Sequence, residues 1–371
     1  MKPKQTILIF HPALAPYRVD FFNALHRAFN AHFYFNLLNV SDQKFDQDDL
    51  KGKSEFSSNY LQKGFEFMGK SFRTGAISAI KKHKPDIILC SEYGPLTCLV
   101  FAYVNLFRKK VRFYTISDDS IANSIERKGV RKWLRNLICK KGNGVLFTSE
   151  AVCNWHKENV SKKIKTLELP IIHNDEVLRK RYFDSLNEAN ANIEKYNLKG
   201  KKVILFVGRL VQVKNLRFLL KCFSKIDTSD CSLVLVGDGE LRGALENHAK
   251  DLGISDKVIF TGRKEGKALY SWYTFSQIFV FPSTYERYGA VVNEALLGGC
   301  YTLCSAAAGA SSLIDAKNGQ LFDPKNETDF IEKLQAAIDS SNPLETEITN
   351  LRENKMPFTF DEKIGSLIKQ L

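Results

Sequence analysis

The sequence predicts an α/β protein with two domains, each built around a parallel β-sheet. Short apolar runs alternate with amphipathic stretches along most of the 371 residues, which is the pattern of repeated β-α units. A chain of this length exceeds what one hydrophobic core usually supports. The alternation stops once, near residues 170–174, where a long polar helical stretch begins. These observations together predict two Rossmann-like domains that join near this point.

Twelve apolar runs are the candidate strands, six on each side of the break. Those of the first half are residues 6–10, 32–38, 86–91, 111–117, 144–148 and 164–169. Those of the second half are residues 202–208, 232–237, 257–261, 277–281, 302–305 and a short run near 321. Helical spacing of apolar residues marks the stretches between the later strands, at residues 215–226, 240–252, 264–275, 290–297 and 326–339.

The predicted domains cover residues 1–172 and 173–354. Residues 355–371 end in a helix with no strand of its own, which we expect to pack back on the first domain. Open parallel sheets bind ligands at the carboxyl ends of their strands. Two such domains are therefore expected to face each other across a cleft lined by those ends.

Cysteine, histidine and apolar patterns limit the protein class. The eight cysteines form no C-x-x-C pair and we expect no secretion signal, which favours free thiols in a reducing compartment. The seven histidines lack metal-ligand spacing, so no metal site is expected. The apolar stretch at residues 95–107 has 13 residues, whereas a spanning helix needs about 20. We expect a cytoplasmic protein in which this stretch is a buried helix or, alternatively, a monotopic membrane insert.

Positive charge is concentrated in the first half. The formal net charge of the chain is +13, and residues 1–170 carry all of it, much of it in runs at residues 108–112 and 127–141. In the second run Trp133 and three apolar residues after it recur at helical spacing. A basic amphipathic helix with a tryptophan is typical of peripheral contact with an anionic membrane, here on its cytosolic face. The alternative is a solvated helix whose apolar stripe faces the core, and nucleic acid is disfavoured because no binding module accompanies the charge.

A candidate diphosphate site follows the first strand of the second half. That strand ends at Gly208, which lets the backbone turn close to a ligand, and Arg209 stands at its tip. Lys214 lies at the start of the next helix. Arginine can grip two phosphate oxygens and lysine adds a point charge, so two such cations near a helix N-terminus suit a diphosphate. The alternative is a strand-end arginine and a surface lysine without a partner.

Two carboxylates accompany the fourth strand of this half. Glu286 comes just after the strand, and Glu294 lies inside the following helix, with Gly289 between them. Because eight residues of helix rise about 12 Å, we expect one carboxylate at a sugar ring and the other at a ribose. Gly289 can expose backbone N–H groups toward the linking phosphates. Glutamates that are merely solvated are the alternative.

Together these stretches resemble the family 4 glycosyltransferases. The resemblance covers residues 200–325, including the segments 235–240 and 318–324. It implies a GT-B fold and a retaining transferase of the hexosyltransferase type. The donor would be a nucleoside diphosphate sugar, with a UDP-sugar preferred and a GDP-sugar as the alternative, and with no separate cofactor and no catalytic metal.

The resemblance also implies a role for each matching residue. Arg209 and Lys214 would hold the donor diphosphate, Glu286 would contact the donor sugar near the reacting centre, and Glu294 would bind the ribose hydroxyls. The backbone groups of Tyr288, Gly289 and Ala290 would complete the phosphate site. The segment of Gly262, Arg263 and Lys264 would lie against the base.

The first half resembles the family less strongly. Residues 11–22 are similar to the first loop and helix of members with a Pro-Tyr-Arg motif, but the double-glycine loop of many relatives is missing. The histidine that many relatives carry after the fourth strand is also missing, and Ser117, Asp118 and Asp119 occupy that region. Asp118 is predicted to contact the donor sugar or the acceptor, as a catalytic residue beside those of the second half.

The predicted function is sugar transfer to a glycan or lipid-linked acceptor in cell-surface polysaccharide or lipopolysaccharide synthesis. Three other functions stay open: a dinucleotide-dependent oxidoreductase, a sugar-nucleotide epimerase, and a non-catalytic carbohydrate-binding or membrane scaffold. The oxidoreductase is disfavoured because Gly237, Gly239 and Gly243 are spaced G-x-G-x-x-x-G rather than G-x-G-x-x-G. The scaffold is disfavoured because the four charged donor-site residues are all present.

Overall fold

The computed structural model describes residues 3–39, 45–67, 70–344 and 347–371. Over these residues the chain divides into two units. Unit 1 contains the chain up to Ile171 together with the C-terminal segment Phe360–Leu371, and unit 2 contains Ile172–Thr359. Each unit has its own parallel sheet and its own hydrophobic core.

In the described part of unit 1, seven parallel strands form one sheet in the order β3-β2-β1-β6-β7-β8-β9. Strands β4 and β5 form a separate antiparallel hairpin. The strands are β1 (Thr6–His11), β2 (Asn30–Phe35), β3 (Ser58–Tyr60), β4 (Phe65–Phe67), β5 (Lys70–Phe72), β6 (Ile87–Ser91), β7 (Arg112–Ser117), β8 (Gly144–Phe147) and β9 (Thr166–Glu168).

Helices connect the strands of unit 1. They are α1 (Pro16–Ala28), α2 (Gln47–Gly52), α3 (Gly75–His83), α4 (Pro95–Phe107), α5 (Ile121–Glu126), α6 (Gly129–Lys141) and α7 (Glu150–Asn159). Helices α1 and α4 each begin with a proline, which suits the first helical position because its missing N–H would have no partner there. Burial of the central strands among these helices explains why they read as continuous apolar runs.

Unit 2 contains a sheet of six parallel strands in the order β12-β11-β10-β13-β14-β15 over its described residues. The strands are β10 (Lys202–Val207), β11 (Cys231–Val236), β12 (Val258–Gly262), β13 (Ile278–Phe281), β14 (Tyr301–Ser305) and β15 (Gly319–Phe322). The helices are α8 (Asp175–Phe183), α9 (Leu186–Lys195), α10 (Leu216–Phe223), α11 (Arg242–Asp251), α12 (Lys267–Phe275), α13 (Ala290–Leu297) and α14 (Glu327–Asp339).

The C-terminal helix α15 (Phe360–Gln370) packs within unit 1. Its residues Ile364 and Leu367 are buried, and Lys363 pairs with Glu168 at 2.6 Å. Arg112 donates a hydrogen bond to the carbonyl of Leu371. These contacts attach the end of the chain to the sheet of unit 1.

All twelve predicted strands are present, with boundaries that differ by a few residues. Strand β3 and the β4–β5 hairpin were not predicted. The polar helical stretch after residue 174 was predicted as one continuous stretch, whereas the structure has two helices that meet at Asp184 and Ser185. The Ser185 hydroxyl is buried there and donates to the carbonyl of Tyr182 at 2.8 Å, which satisfies the polar group at the break.

The apolar stretch at residues 95–107 forms α4, which buries only one face. Leu96, Val100 and Val104 are buried, whereas Leu106 and Phe107 at its C-terminal end are each 69% exposed. In the described part of the chain, no helix combines the length and the apolar character needed to cross a bilayer.

The second basic run forms α6. The stripe that begins with Trp133 is divided, because Trp133 is 62% exposed while Ile138 and Cys139 face the core. The alternative in which the whole stripe faces the core is therefore wrong for Trp133, and membrane contact stays a prediction. Arg135, one of the cations of this run, is not a surface charge. It is fully buried and donates to the carbonyl of Ser124 at 2.9 Å, because a buried guanidinium needs such an acceptor.

Candidate functional site

The predicted donor-site residues of unit 2 come together at one edge of its sheet. All strands are parallel, so the chain leaves them at the same edge. Gly208 and Arg209 follow β10, Gly262 ends β12, and Glu286 lies in the loop after β13. The strand order reverses between β10 and β13, and open parallel sheets bind ligands at such a point.

Glycine is required where β10 and β11 end. The N–H of Gly208 donates to Val236, and the N–H of Gly237 donates to Gly262, both at 3.0 Å. Gly237 has φ +150°, and a Cβ at this position would lie 1.8 Å from the carbonyl oxygen of Gly208. A Cβ at Gly239 would similarly lie 2.5 Å from the carbonyl oxygen of Leu210. Gly237 and Gly239 therefore allow close backbone packing, whereas a Cβ at Gly243, the third glycine of the approximate dinucleotide motif, would meet nothing within 4 Å.

Lys214 and Glu286 form an ion pair between the loops that follow β10 and β13. Lys214 Nζ donates to Glu286 Oε2, and the two side chains are 12% and 26% exposed. The ammonium also lies 4.9 Å from the centre of the Phe281 ring. The N–H of Thr284 donates to the carbonyl of Val213 at 3.0 Å, which ties the two loops together. Both residues were predicted to lie in one site, but their direct contact was not predicted.

Arg209 and Arg263 are both exposed at the same edge of the sheet. Arg209 directly follows Gly208 at the end of β10. Arg263 pairs with Glu265 through its Nε at 3.0 Å, and Gly262 before it has φ +74°. Of the two arginines, Arg209 follows the strand beside the reversal point and is the better placed to meet an anion there.

The helix α13 begins next to the Lys214–Glu286 pair. Gly289 has φ +101°, and a Cβ at this position would lie 2.6 Å from the Phe281 ring, so only glycine fits. Tyr288 is buried, and its carbonyl accepts from the N–H of Ala310 at 2.8 Å. The helix starts at Ala290, and the first N–H groups of a helix have no acceptor within it. This end of α13 therefore carries a partial positive charge.

Glu294 has different partners from those of Glu286. Tyr273 Oη donates to Glu294 Oε2 at 2.7 Å, and His173 Nε2 lies 3.5 Å from Oε1. The predicted rise of eight helical residues does not apply, since α13 begins only at Ala290. The two carboxylates nevertheless contact separate groups of side chains. Tyr273 and His173 were missed by the sequence analysis, because neither stands at a strand end or in a recognisable motif.

Asp118 lies in a charged cluster at the carboxyl edge of the unit 1 sheet. Arg18, on α1, is 1% exposed and donates to Asp118 Oδ1. The N–H of Asp118 donates to Glu92 Oε1 at 3.0 Å. Asp118 follows β7, Glu92 follows β6 and His11 ends β1, so the cluster lies beside the point where this sheet also reverses its order.

Burial controls the ionisation of this cluster. Burial raises the pKa of the Glu92 carboxyl to about 7, and the nearby Asp118 and Asp119 carboxylates act in the same direction. Burial lowers the pKa of His11 to about 4, with Arg18 acting the same way. Glu92 also has φ +60°, an uncommon conformation for a residue with a side chain. Glu92 was not predicted as a site residue, although its position directly after a buried strand indicates that it lies at the edge of the sheet where ligands bind.

The Glu92→Gln variant is expected to be more stable than the wild type above about pH 7. A raised carboxyl pKa means that the stability contribution of Glu92 is present below the unfolded value of 4.5 and is lost as pH rises through about 7. Glutamine cannot ionise and keeps an oxygen for the N–H of Asp118. Thermal unfolding across this pH range should show an advantage of the variant that grows with pH.

The exposed Glu126→Gln is the matched control, because it removes a carboxylate from a solvent-exposed site of unit 1. Its difference from the wild type should stay constant over the same range. If Glu92→Gln exceeds the wild type in thermal stability by the same amount at low and at high pH, that result would contradict the raised pKa of the Glu92 carboxyl.

No three histidine, cysteine, aspartate or glutamate side chains gather as a metal-binding group in the described ranges of the chain. The eight cysteines are free, and seven of them are buried. The expectation of a metal-independent site stays a prediction.

Two parallel α/β units, each with charged side chains at the reversal point of its sheet, define the structural class. Known proteins with similar sequences or similar structures belong to the same structural class. Residues 188–354, which lie inside unit 2, match the family model described as glycosyl transferases group 1. A structure of HepE from Anabaena in complex with UDP covers 99% of this chain and 98% of its own, with a TM-score of 0.72 and 14% identity. This likeness confirms the predicted α/β fold of two Rossmann-like domains of the GT-B type.

Curated relatives match the chain in part. An uncharacterized glycosyltransferase of Methanocaldococcus jannaschii is 33% identical over 181 residues, covering 45% of this chain and 46% of the relative. The N-acetylgalactosamine-N,N'-diacetylbacillosaminyl-diphospho-undecaprenol 4-alpha-N-acetylgalactosaminyltransferase of Campylobacter jejuni is 28% identical over 212 residues, covering 57% and 54%. The chain thus spans about half the length of these relatives.

Proposed function

We propose that this protein is a glycosyltransferase that moves a sugar from a nucleoside diphosphate sugar to a glycan or lipid-linked acceptor. The observation that carries the proposal is the Lys214–Glu286 ion pair at the reversal point of the unit 2 sheet, beside the N-terminus of α13 and with Arg209 at the end of the neighbouring strand β10. The family match over the same unit supports it. The diphospho-undecaprenol in the name of the Campylobacter relative supports a lipid-linked acceptor.

The geometry suits stabilisation of a leaving diphosphate. As the bond from the sugar C1 to the diphosphate oxygen breaks, negative charge grows on that oxygen. Lys214, Arg209 and the first N–H groups of α13 supply fixed positive charge, which is effective because it needs no rearrangement. Glu286 holds the Lys214 ammonium in place and would contact the donor sugar, while Glu294 would bind the ribose. In this proposal the positive charges stabilise the leaving diphosphate in place of a catalytic metal.

Retention of anomeric configuration follows if transfer occurs on the face from which the diphosphate leaves. The acceptor oxygen forms the new bond to C1 as the old C1–O bond breaks, and its proton passes to the departing phosphate oxygen. No carboxylate nucleophile is required in this scheme. These features, together with a UDP-sugar donor and membership of family 4, are the finer parts of the proposal. In unit 1, Asp118, which is held by Arg18, would contact the sugar or the acceptor.

Donor-dependent thermal stabilisation tests the proposal directly. A ligand present at a hundred times its dissociation constant stabilises a protein by about 2.7 kcal/mol, which corresponds to a rise in Tm of about 5 °C or more for a unit of this size. We expect UDP or a UDP-sugar to give such a rise, with EDTA present or absent. The nucleoside uridine is the control, because it lacks the diphosphate. Failure of every nucleoside diphosphate, GDP included, would contradict the donor site, and loss of the effect in EDTA would contradict metal independence.

The exposed face of α6 supports peripheral contact with an anionic membrane. Trp133 and Val130 are exposed on its first turns, beside the exposed cations Arg131 and Lys132. An apolar anchor among cations suits the interface of an anionic bilayer, where each cation contributes about 1 kcal/mol.

The double variant Arg131→Glu with Lys132→Glu is therefore expected to lose at least about tenfold in affinity for vesicles containing phosphatidylglycerol. Flotation at low and high salt measures the binding, and high salt should release the wild type as well. The control is Lys250→Glu with Lys264→Glu in unit 2. Binding that neither salt nor the double variant changes would contradict an electrostatic contact by α6.

A further inference from the structure

The side chain and the peptide group of Glu294 are both held by other parts of unit 2. Tyr273, on α12, donates from Oη to Oε2 of the carboxylate at 2.7 Å. His173, just before α8, brings Nε2 to 3.5 Å from Oε1. Tyr182, on α8, donates to the Glu294 carbonyl at 2.8 Å. Three contacts from separate segments therefore fix one glutamate that stands at the middle of α13.

Tyr273 is suited to orient this carboxylate. Its side chain is fully buried, and its ring stacks on Tyr182 with ring centres 5.9 Å apart. Burial raises its pKa well above the ordinary value, and the Glu294 carboxylate acts in the same direction, so the hydroxyl remains a donor. A hydrogen bond to a charged group is stronger than one between neutral groups. The bond therefore restrains rotation of the carboxylate about its last torsion.

His173 attaches the beginning of unit 2 to the same helix. The first segment of unit 1 ends at Ile171, so His173 is the second residue of unit 2. Its N–H donates to Asn293 Oδ1 at 2.8 Å, and Asn293 is the neighbour of Glu294 on α13. The backbone of His173 thus contacts Asn293, and its side chain contacts Glu294, the next residue of α13.

The Glu294 carboxylate keeps room for a ligand. An ionised carboxylate offers about four positions for hydrogen bonds, and Tyr273 occupies one on Oε2. The side chain is 16% exposed, so part of it remains open to solvent. A carboxylate held in one orientation can accept hydrogen bonds from two neighbouring hydroxyls at once, whereas a freely rotating one loses entropy when it does so.

We propose that Tyr273 is a positioning residue for ribose recognition, which orients Glu294 so that it accepts hydrogen bonds from the 2′- and 3′-hydroxyls of a ribonucleotide. The proposal rests on the proposed function, in which Glu294 meets the ribose of the donor. It adds that selectivity for ribose over 2′-deoxyribose depends on a phenolic hydroxyl that does not touch the nucleotide. Rejection of a ligand that lacks a hydroxyl is strong when the site is built to bind that hydroxyl.

The test compares Tyr273→Phe with the wild type by calorimetric titration of UDP, 2′-deoxy-UDP, GDP and 2′-deoxy-GDP. The wild type should bind the preferred ribonucleotide at least about tenfold more tightly than its deoxy form. Tyr273→Phe should lose most of that preference, with the loss falling on the ribonucleotide. Phenylalanine keeps the buried ring, so the deoxynucleotide affinity should change little. Tyr196→Phe is the control, because its ring packs against Trp272 of the same α12 and the variant should keep the full preference.

A second variant keeps the result interpretable if Tyr273→Phe is less stable. In Glu294→Gln the preference for ribose should already be reduced, and adding Tyr273→Phe should reduce it little further, because the two residues act as one unit. If the wild type does not discriminate between the sugars, the ribose role of Glu294 and this inference both fail. If Glu294→Gln loses the preference while Tyr273→Phe keeps it, the inference alone is overturned and the proposed function stands.

Discussion

Replacing Lys214 with alanine is expected to lower the rate of sugar transfer about a hundredfold or more while unit 2 stays folded. The variant removes the ammonium that meets Glu286 between the loops after β10 and β13, so a departing diphosphate loses a fixed positive charge. Release of nucleoside diphosphate from the donor, in the presence of a lipid-linked acceptor, measures the rate. Incubation without acceptor separates transfer from epimerisation, which needs none.

The control for this variant is Lys225→Ala. Lys225 carries the same charge in the same unit and pairs with Glu327 at 2.6 Å, but its ion pair is exposed, and such pairs contribute little. Its transfer rate should match the wild type. Circular dichroism and thermal unfolding establish whether Lys214→Ala is folded. Full turnover by a folded Lys214→Ala would remove the basis of the proposed function.

Replacing Gly237 with alanine is expected to destabilise unit 2 by about 4 kcal/mol, which lowers Tm by about 10 °C. The new Cβ would lie 1.8 Å from the carbonyl oxygen of Gly208, and the backbone there has φ +150°, which favours glycine. Relief requires the ends of β10 and β11 to move apart. Because Arg209 follows Gly208 directly, we also expect weaker nucleotide binding below the melting transition.

Gly243→Ala is the matched control for this change. Gly243 lies in α11, and a Cβ built there meets nothing within 4 Å. Alanine in an open helical position is expected to be neutral or stabilising by up to about 1 kcal/mol. A Gly237→Ala protein that melts with the wild type would show that β10 and β11 do not end in such close contact.

The strands and most helices could be predicted because their signal is local. A strand buried on both faces, such as β10, β11 or β13, reads as a continuous apolar run. The predicted start of α13 at residue 290 agrees with the structure for the same reason. The edge strand β3 was missed because it pairs with β2 on one side only and its Ser58-Asn59-Tyr60 sequence has no apolar run.

The site was only partly predictable. Arg209, Lys214, Glu286 and Glu294 were identified from strand ends, a helix start and a family resemblance. Their partners were not, because each contact joins residues far apart in the chain. Lys214 meets Glu286 across 72 positions, and Arg18 meets Asp118 across 100. No local pattern reports such a contact, since it depends on the order of strands in the sheet.

The sequence alone therefore determined the alternation of strands and helices and the charged residues that follow the strands of unit 2, because hydrophobic periodicity and residue type are local properties. The tertiary structure alone decided that Lys214 pairs with Glu286, that Tyr273 holds Glu294 and that Arg135 is buried rather than exposed. These facts depend on which strands lie side by side and which helices cover them. Sheet order is set by packing of the whole unit, and residues that are distant in sequence become neighbours only when that packing is complete.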